Sequence, residues 1–438
     1  MTRAPRRRSG VTVCGAVALA LLTSSCVGTG EAPQQQGSAS GPVSVLLWAE
    51  PEELPAYREV IRAFGEVEPD IEVRLIHTGN RDDLVTRLST SFAGGTPPDL
   101  FLLNYRFIGQ YQARGVIEPL GSRLDGSDVF QREDFYPQAL EAFTFDGVLT
   151  CMPQNVSSLV VYYNVDLFRE IGLDGPPERW TFFDMVGLAR NLTVDRDGNG
   201  APEQYGLGVE PTVIRMAPFI WSNGGTLVDD EENPTRFTLH EPAAVEVMQS
   251  FFDLREEYRV VPTEHEIEAQ EDEDRFLNGT TAMLLASRRE TPSLRTITDF
   301  EWDVAPLPIF QEEVGILHSD AYCMPRQSEH KEPAWRFLEF ALGPEGQRIT
   351  AEAGRTVPSL IEVAESDAFL DPGRPPASSQ VFLDTIPTIR RVPNISTWPE
   401  IEERTDEVLE IGMYHLVPAL DIAQRIIRET TDMFARSG

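Results

Sequence analysis

Residues 43–103 read VSVLLWAEPEELPAYREVIRAFGEVEPDIEVRLIHTGNRDDLVTRLSTSFAGGTPPDLFLL, and this stretch decides the fold. Val43-Ser-Val-Leu-Leu-Trp48 is a nearly unbroken apolar run of the kind that fills a buried strand. Leu54, Tyr57, Ile61 and Phe64 then recur at helical spacing. Ile71-Glu-Val-Arg-Leu-Ile76 alternates as a second strand, and Leu84, Leu88 and Phe92 mark a second amphipathic helix. Gly94-Gly-Thr-Pro-Pro98 ends that helix before a third strand, Asp99-Leu-Phe-Leu-Leu103. Strand, helix, strand, helix, strand is the order of an open α/β sheet. Ligands bind outside the carboxyl ends of such strands, which puts Ala49-Glu50 and Asn104-Tyr105-Arg106 on the rim of a cleft.

The α/β pattern continues outward. Leu159-Val-Val-Tyr-Tyr163 is apolar and ends at Asn164, and 182–192 is helical. Trp335, Leu338 and Leu342 share a helix face, and 401–434 holds long amphipathic stretches with Pro418 as a break. A chain of 438 residues exceeds what one core usually organises, so two domains are expected. The formal charge of −33 opposes binding to nucleic acid or anionic lipid, which needs a basic face. The acidic run Glu264–Asp274 (EHEIEAQEDED) reads as a solvated helix face or loop rather than a metal site.

Ahead of Val43 the chain carries the marks of export. Arg3, Arg6, Arg7 and Arg8 precede an apolar run from Val11 to Leu22, and Leu22-Thr-Ser-Ser-Cys26 follows. An apolar stretch of about twelve residues is too short to span a bilayer, which takes roughly twenty. The cysteine after small residues resembles a bacterial lipoprotein signal, although Thr23 stands where such signals usually carry Leu, Val or Ile. That resemblance implies a signal peptide over 1–25, lipidation of Cys26 and a flexible tether over 26–42, holding the protein on the outer face of the cell membrane. An ordinary signal cleaved nearby is the other reading.

Of the four cysteines, Cys14 leaves with the signal, Cys26 is the lipid candidate, and Cys151 and Cys323 remain. No C-x-x-C pair exists, which excludes a zinc finger or a thioredoxin motif. His77, His240, His265, His318, His330 and His415 are scattered without metal spacing. There is no G-x-S-x-G elbow, no phosphate-binding loop with G-K-[ST] and no H-E-x-x-H, and the alternative of a carbohydrate-active enzyme rests only on the candidate carboxylate pairs that seventy acids guarantee.

Several segments, in order, resemble one family. They are Gly94-Gly-Thr-Pro-Pro-Asp-Leu-Phe101, Met152-Pro153 with Tyr163-Asn164 and Asp166-Leu-Phe168, Asp195 to Gly206, and Trp221-Ser-Asn-Gly-Gly225. Phe276 to Met283, Trp302 to Pro308 and Lys331 to Leu338 complete the set. Together they are similar to the bacterial extracellular solute-binding proteins of the carbohydrate group, relatives of maltose-binding protein. The resemblance implies a type II fold of two α/β lobes around a ligand cleft. It implies a monomer that captures a mono- or oligosaccharide and hands it to the permease subunits of an ABC importer, with no cofactor required. It places an N-terminal lobe at 43–150 and 325–372 and a C-terminal lobe at 154–320 and 377–438.

Site residues follow from the same resemblance. Glu50, Glu53, Asn104, Tyr105 and Arg106 are the contacts of the first lobe, and Asn155 and Ser157 lie past the first crossing. Glu210 with Thr212 belongs to the second lobe, and Trp221 and Trp398 are candidate aromatic walls for sugar rings. Asp320 and Tyr322 replace small residues of relatives. Arg288, Arg289 and Arg355 add guanidiniums that fit either an acidic sugar or glycerophosphodiester, or neighbouring carboxylates of the protein itself. Asp195, Asp197, Asn199 and Glu203 have calcium-loop spacing, but Gly206 stands where the bidentate glutamate belongs, and relatives use this stretch as a turn. By family order Cys151 and Cys323 lie on neighbouring interlobe crossings, which implies a disulfide between them.

Overall fold

A computed structural model describes residues 42–437. The expectations for the signal peptide, Cys26 and the tether as far as residue 41 lie outside the described residues.

The opening stretch folds as its periodicity dictates. Strand β1 (Val43–Trp48) leads to helix α1 (Leu54–Val67), which buries Leu54, Tyr57, Val60 and Phe64 and begins with proline in its first turn. Strand β2 (Val73–Thr78) and helix α2 (Arg81–Ala93) follow, the helix capped by Asn80, whose side chain accepts the Asp83 N–H. Strand β3 (Leu100–Asn104) runs directly into helix α3 (Tyr105–Ala113). β1 lies between β2 and β3 and is parallel to both.

The chain then returns along β4 (Cys151–Pro153) and leaves for a second sheet, entering at β5 (Leu159–Asn164). Helices α4 (Val213–Ser222), α5 (Pro242–Glu256) and α6 (Asp272–Leu277) intervene before β6 (Met283–Ser287) and β7 (Trp302–Ala305). Strand β8 (Asp320–Cys323) brings the chain back. The first sheet has the order β2-β1-β3-β8-β4 and the second β6-β5-β7. The second is antiparallel throughout, so it is not a copy of the first, in which β1 is parallel to both its neighbours. Helices α7 (Lys331–Leu342) and α8 (Pro344–Glu352) pack on α1, while α9 (Trp398–Tyr414) and α10 (Ala419–Phe434) pack on α5. No helix among the described residues is long and apolar enough to cross a membrane.

β4 and β8, the strands by which the chain leaves and re-enters the first sheet, are antiparallel neighbours with Cys323 opposite Cys151. The two are disulfide-bonded, with Cα atoms 4.4 Å apart. Both are fully buried. The cross-link joins residues 172 apart in sequence, for which the chain-entropy model gives an upper figure of roughly 5 kcal/mol. Alkylation of denatured, unreduced protein followed by peptide mass analysis therefore leaves Cys151 and Cys323 unlabelled. The double variant Cys151→Ser/Cys323→Ser should melt well below the parent.

Candidate ligand-binding cleft

The carboxyl ends of β1 and β3 open onto a cavity of about 290 Å³. Trp48, Glu50, Arg81, Asn104, Arg106 and Arg355 line it from the first lobe, and Asn155, Ser157, His318 and Asp320 from the crossings. Glu210, Ile214, Arg215, Glu273 and the run Ser287 to Glu290 line it from the second lobe. Local structure explains these positions. Asn104 ends β3 and caps α3 by accepting the Arg106 N–H, which turns both side chains toward the opening. Asn155 is fixed by donating to the His318 carbonyl and accepting the Asp320 N–H.

Ion pairs connect the walls. Arg289 binds Glu50 at 3.1 Å and Glu53 at 3.2 Å, and its guanidinium lies 3.2 Å from the centre of the Trp48 ring. Arg355, 4% exposed, pairs with Glu53 at 2.5 Å and Asp320 at 3.4 Å. Burial pushes the Glu53 carboxyl up, but Arg355 and Arg289 outweigh it and hold the group below the ordinary carboxylate range. Arg106 pairs with Glu402 of α9 and donates through Nε to Asn104. Arg215 binds Glu210 at 3.1 Å. Desolvation, with Arg106 and Arg215 nearby, keeps the His318 imidazole neutral well below its usual pKa. Glu273 and Glu290 behave oppositely. Burial pushes Glu273 up to about 7, helped by the Glu210 carboxylate, and pushes Glu290 up to about 8, helped by Glu273.

A cleft between two lobes, tied by two antiparallel crossings and walled by planar hydrogen-bonding groups, is a capture site. The sequence profile of the bacterial extracellular solute-binding proteins matches residues 48–348. This chain belongs to that family. The maltotriose-binding protein of Pyrococcus abyssi is 23% identical over 344 residues, covering 75% of this chain and 69% of the relative. The sn-glycerol-3-phosphate-binding periplasmic protein of Salmonella paratyphi A is 21% identical over 365 residues, covering 79% and 82%. A Listeria monocytogenes ABC substrate-binding protein, solved with cycloalternan, superposes with a TM-score of 0.82 at 24% identity, covering 90% of this chain and 99% of that one. The fold is that of the type II periplasmic binding proteins.

Several expected contacts of this solute-binding protein lie elsewhere. Glu53 is 2% exposed and works from behind, gripping Arg289 and Arg355 and accepting the Glu50 N–H. Tyr105 is fully buried, its hydroxyl accepting the Val392 N–H. Tyr322 lies buried on β8 and packs edge-on against Phe337 of α7. Trp221 and Trp398 are core residues. Arg390 stacks on the first, and the second packs on Phe237 while its indole N–H holds Glu402 at 2.8 Å. Arg288 reaches the wall but is 1% exposed, stacked on Phe369 and Phe382, and donates to the Gly354 carbonyl and the Ser379 hydroxyl. Burial pushes its pKa down to about 9. The indole on the wall is Trp48 instead, which the sequence reading absorbed into a buried strand. Glu273 belongs to the acidic run read as solvated, and Arg81, Ile214, Arg215, Glu290 and His318 carried no distinguishing signal.

The Asp195 loop is braced by its own backbone. Asp195 accepts the N–H groups of Gly198 and Gly200, Asp197 that of Asn199, Asn199 that of Ala201, and Glu203 that of Arg196. A Cβ at Gly206 would lie 1.9 Å from the Ala189 carbonyl oxygen, so no glutamate fits at the twelfth position. Among the described residues no three His, Cys, Asp or Glu side chains converge as metal ligands. The loop has the geometry of a turn.

Two outcomes follow from the charged wall. Arg106→Ala strands Glu402, whose side chain is 8% exposed, and should cost about 3–5 kcal/mol in urea unfolding. Glu273 and Glu290, with folded pKa values above their unfolded ones, bind more protons folded than unfolded between about pH 4.5 and 8. Their contribution to stability is therefore lost as pH rises. His318 opposes this trend only below its unfolded pKa of about 6.5. The melting temperature of the free protein should rise between pH 8.5 and pH 6.5.

Proposed function

We propose that this protein captures a small carbohydrate between its lobes and presents it to an ABC importer, without chemistry. The observation that carries the reading is the wall itself. Carboxylates, guanidiniums, amides and one indole converge from both lobes and the crossings at strand ends, which is the equipment for adjacent hydroxyls and ring C–H faces. The maltotriose and cycloalternan named for two of the relatives support it. At about 290 Å³ the cavity lies just below the roughly 300–1,000 Å³ of ligand pockets, so a mono- or disaccharide fits better than a long oligosaccharide. An anionic ligand has weaker support, because Arg106, Arg215, Arg289 and Arg355 each already face a carboxylate and Arg288, which faces none, is 1% exposed. Lipidation at Cys26 would keep the monomeric body beside its permease on the outer face of the membrane. The lobe segments expected at 43–150 with 325–372, and at 154–320 with 377–438, would then be the bodies that close on the sugar.

Thermal-shift and calorimetric screening over mono- and disaccharides, sugar acids and glycerophosphodiesters tests this reading. One sugar should bind one site per chain and stabilise the protein by RT ln(1 + [L]/Kd), about 2.7 kcal/mol at a hundredfold excess over Kd. Chromatography of the incubated sugar should recover it unchanged. Binding of no sugar, or sustained product formation, overturns the proposal.

A further inference from the structure

We infer that the carbohydrate carries a basic nitrogen, as in an amino or imino sugar, and that its ammonium group is received by Glu273 and Glu290. The inference rests on the carbohydrate reading of the cleft and narrows it to a chemical class.

Arg106, Arg215, Arg289 and Arg355 are matched by acids of the protein and Arg288 is held by Gly354 and Ser379, but these two acids are not matched by its cations. Glu50 and Glu53 share Arg289, Asp320 shares Arg355 with Glu53, and Glu210 holds Arg215. Glu273 and Glu290 line the same cavity, and among the described residues neither has an ion pair or a side-chain hydrogen bond. The charges that reach them are mixed. Glu50, Glu210 and Glu271 raise one or both, while Arg215 and Arg289 lower them, and burial prevails. Two half-buried carboxylates of one sign, without partners, are a costly arrangement that a cation removes.

An independent observation marks the same wall. Arg215 lines the cavity at 7% exposure, and its Nε is buried without an acceptor. Buried polar groups are rarely left unpaired, so this donor points to an acceptor that the ligand brings. A sugar hydroxyl oxygen can accept from Arg215 while an ammonium group donates to Glu273 and Glu290. A phosphate or carboxylate in that position would meet two acids.

Calorimetry on the parent protein at pH 7.5 tests the inference. Matched probes are D-glucose, D-glucosamine, N-acetyl-D-glucosamine and 1-deoxynojirimycin, then cellobiose and the glucosamine disaccharide, with glucose 6-phosphate as the anionic arm. The amine-bearing probes should bind roughly tenfold or more tightly than their hydroxyl or N-acetyl counterparts, the size of one charge-assisted hydrogen bond. Glu273→Gln/Glu290→Gln should abolish that preference, so that amine and hydroxyl probes bind the variant alike. On the parent alone, the preference should shrink from pH 7.5 to pH 5.5, as protons occupy the two carboxylates, so the test stands even if the variant does not fold. Hydroxyl sugars or glucose 6-phosphate binding as tightly as the amines, or a preference independent of pH, overturns the inference and leaves the capture of a carbohydrate intact. Failure of every sugar to bind overturns both.

Discussion

Glu53 is charged and almost wholly removed from water, and the cleft is organised around that constraint. A buried carboxylate is tolerable only beside cations, so two guanidiniums come to it from distant parts of the chain. Each passes the charge on. Arg289 continues to Glu50, and Arg355 continues to Asp320. Asp320 accepts from Asn104, Asn104 accepts from Arg106, and Arg106 meets Glu402, which the Trp398 indole holds in place. One chain of acids and bases, with the neutral Asn104 amide as a link, thus runs from the second lobe through the first and back to the second.

Such a chain trades net stability for fixed direction. Removing ions from water offsets much of their attraction, so the network is not a large source of folding energy. It holds donors and acceptors at set positions without a ligand, and a sugar then meets groups that need little reorganisation. Glu273 and Glu290 stand outside the chain, and that exclusion distinguishes them from the other cleft acids.

The sequence revealed the frame of this site better than its surface. Glu50, Asn104 and Arg106 were legible because strand ends in an open sheet are cleft rims whatever the ligand. Aromatic residues were not legible. Trp221 and Trp398 offer the same apolar area to a core as to a sugar ring, and only the packing of Phe237 and Arg390 around them decides. Trp48 was hidden for the converse reason, since the last residue of a buried strand looks like core until its neighbour Arg289 is placed. Tyr322 shares a strand with Asp320, but it packs against Phe337 of α7 while Asp320 lines the cavity. The acidic run around Glu273 has charges on every face, so no periodicity separates the residue that turns inward from those that meet solvent. The Cys151–Cys323 pairing was legible only through family order, because both ends must first be known to lie on adjacent strands.

The order of strands in the first sheet has a consequence for assembly. β3 pairs with β1 on one side, but its other neighbour, β8, is made more than two hundred residues later. A chain emerging from its N-terminus therefore completes β1, β2 and β3 with one side of β3 unpaired, an edge of apolar residues and free backbone donors. The entire second sheet is synthesised before the strand that covers that edge. The first lobe is thus begun first but cannot close until the second sheet has been made, and in the interval its open edge is exposed to mispairing and in need of a holding chaperone.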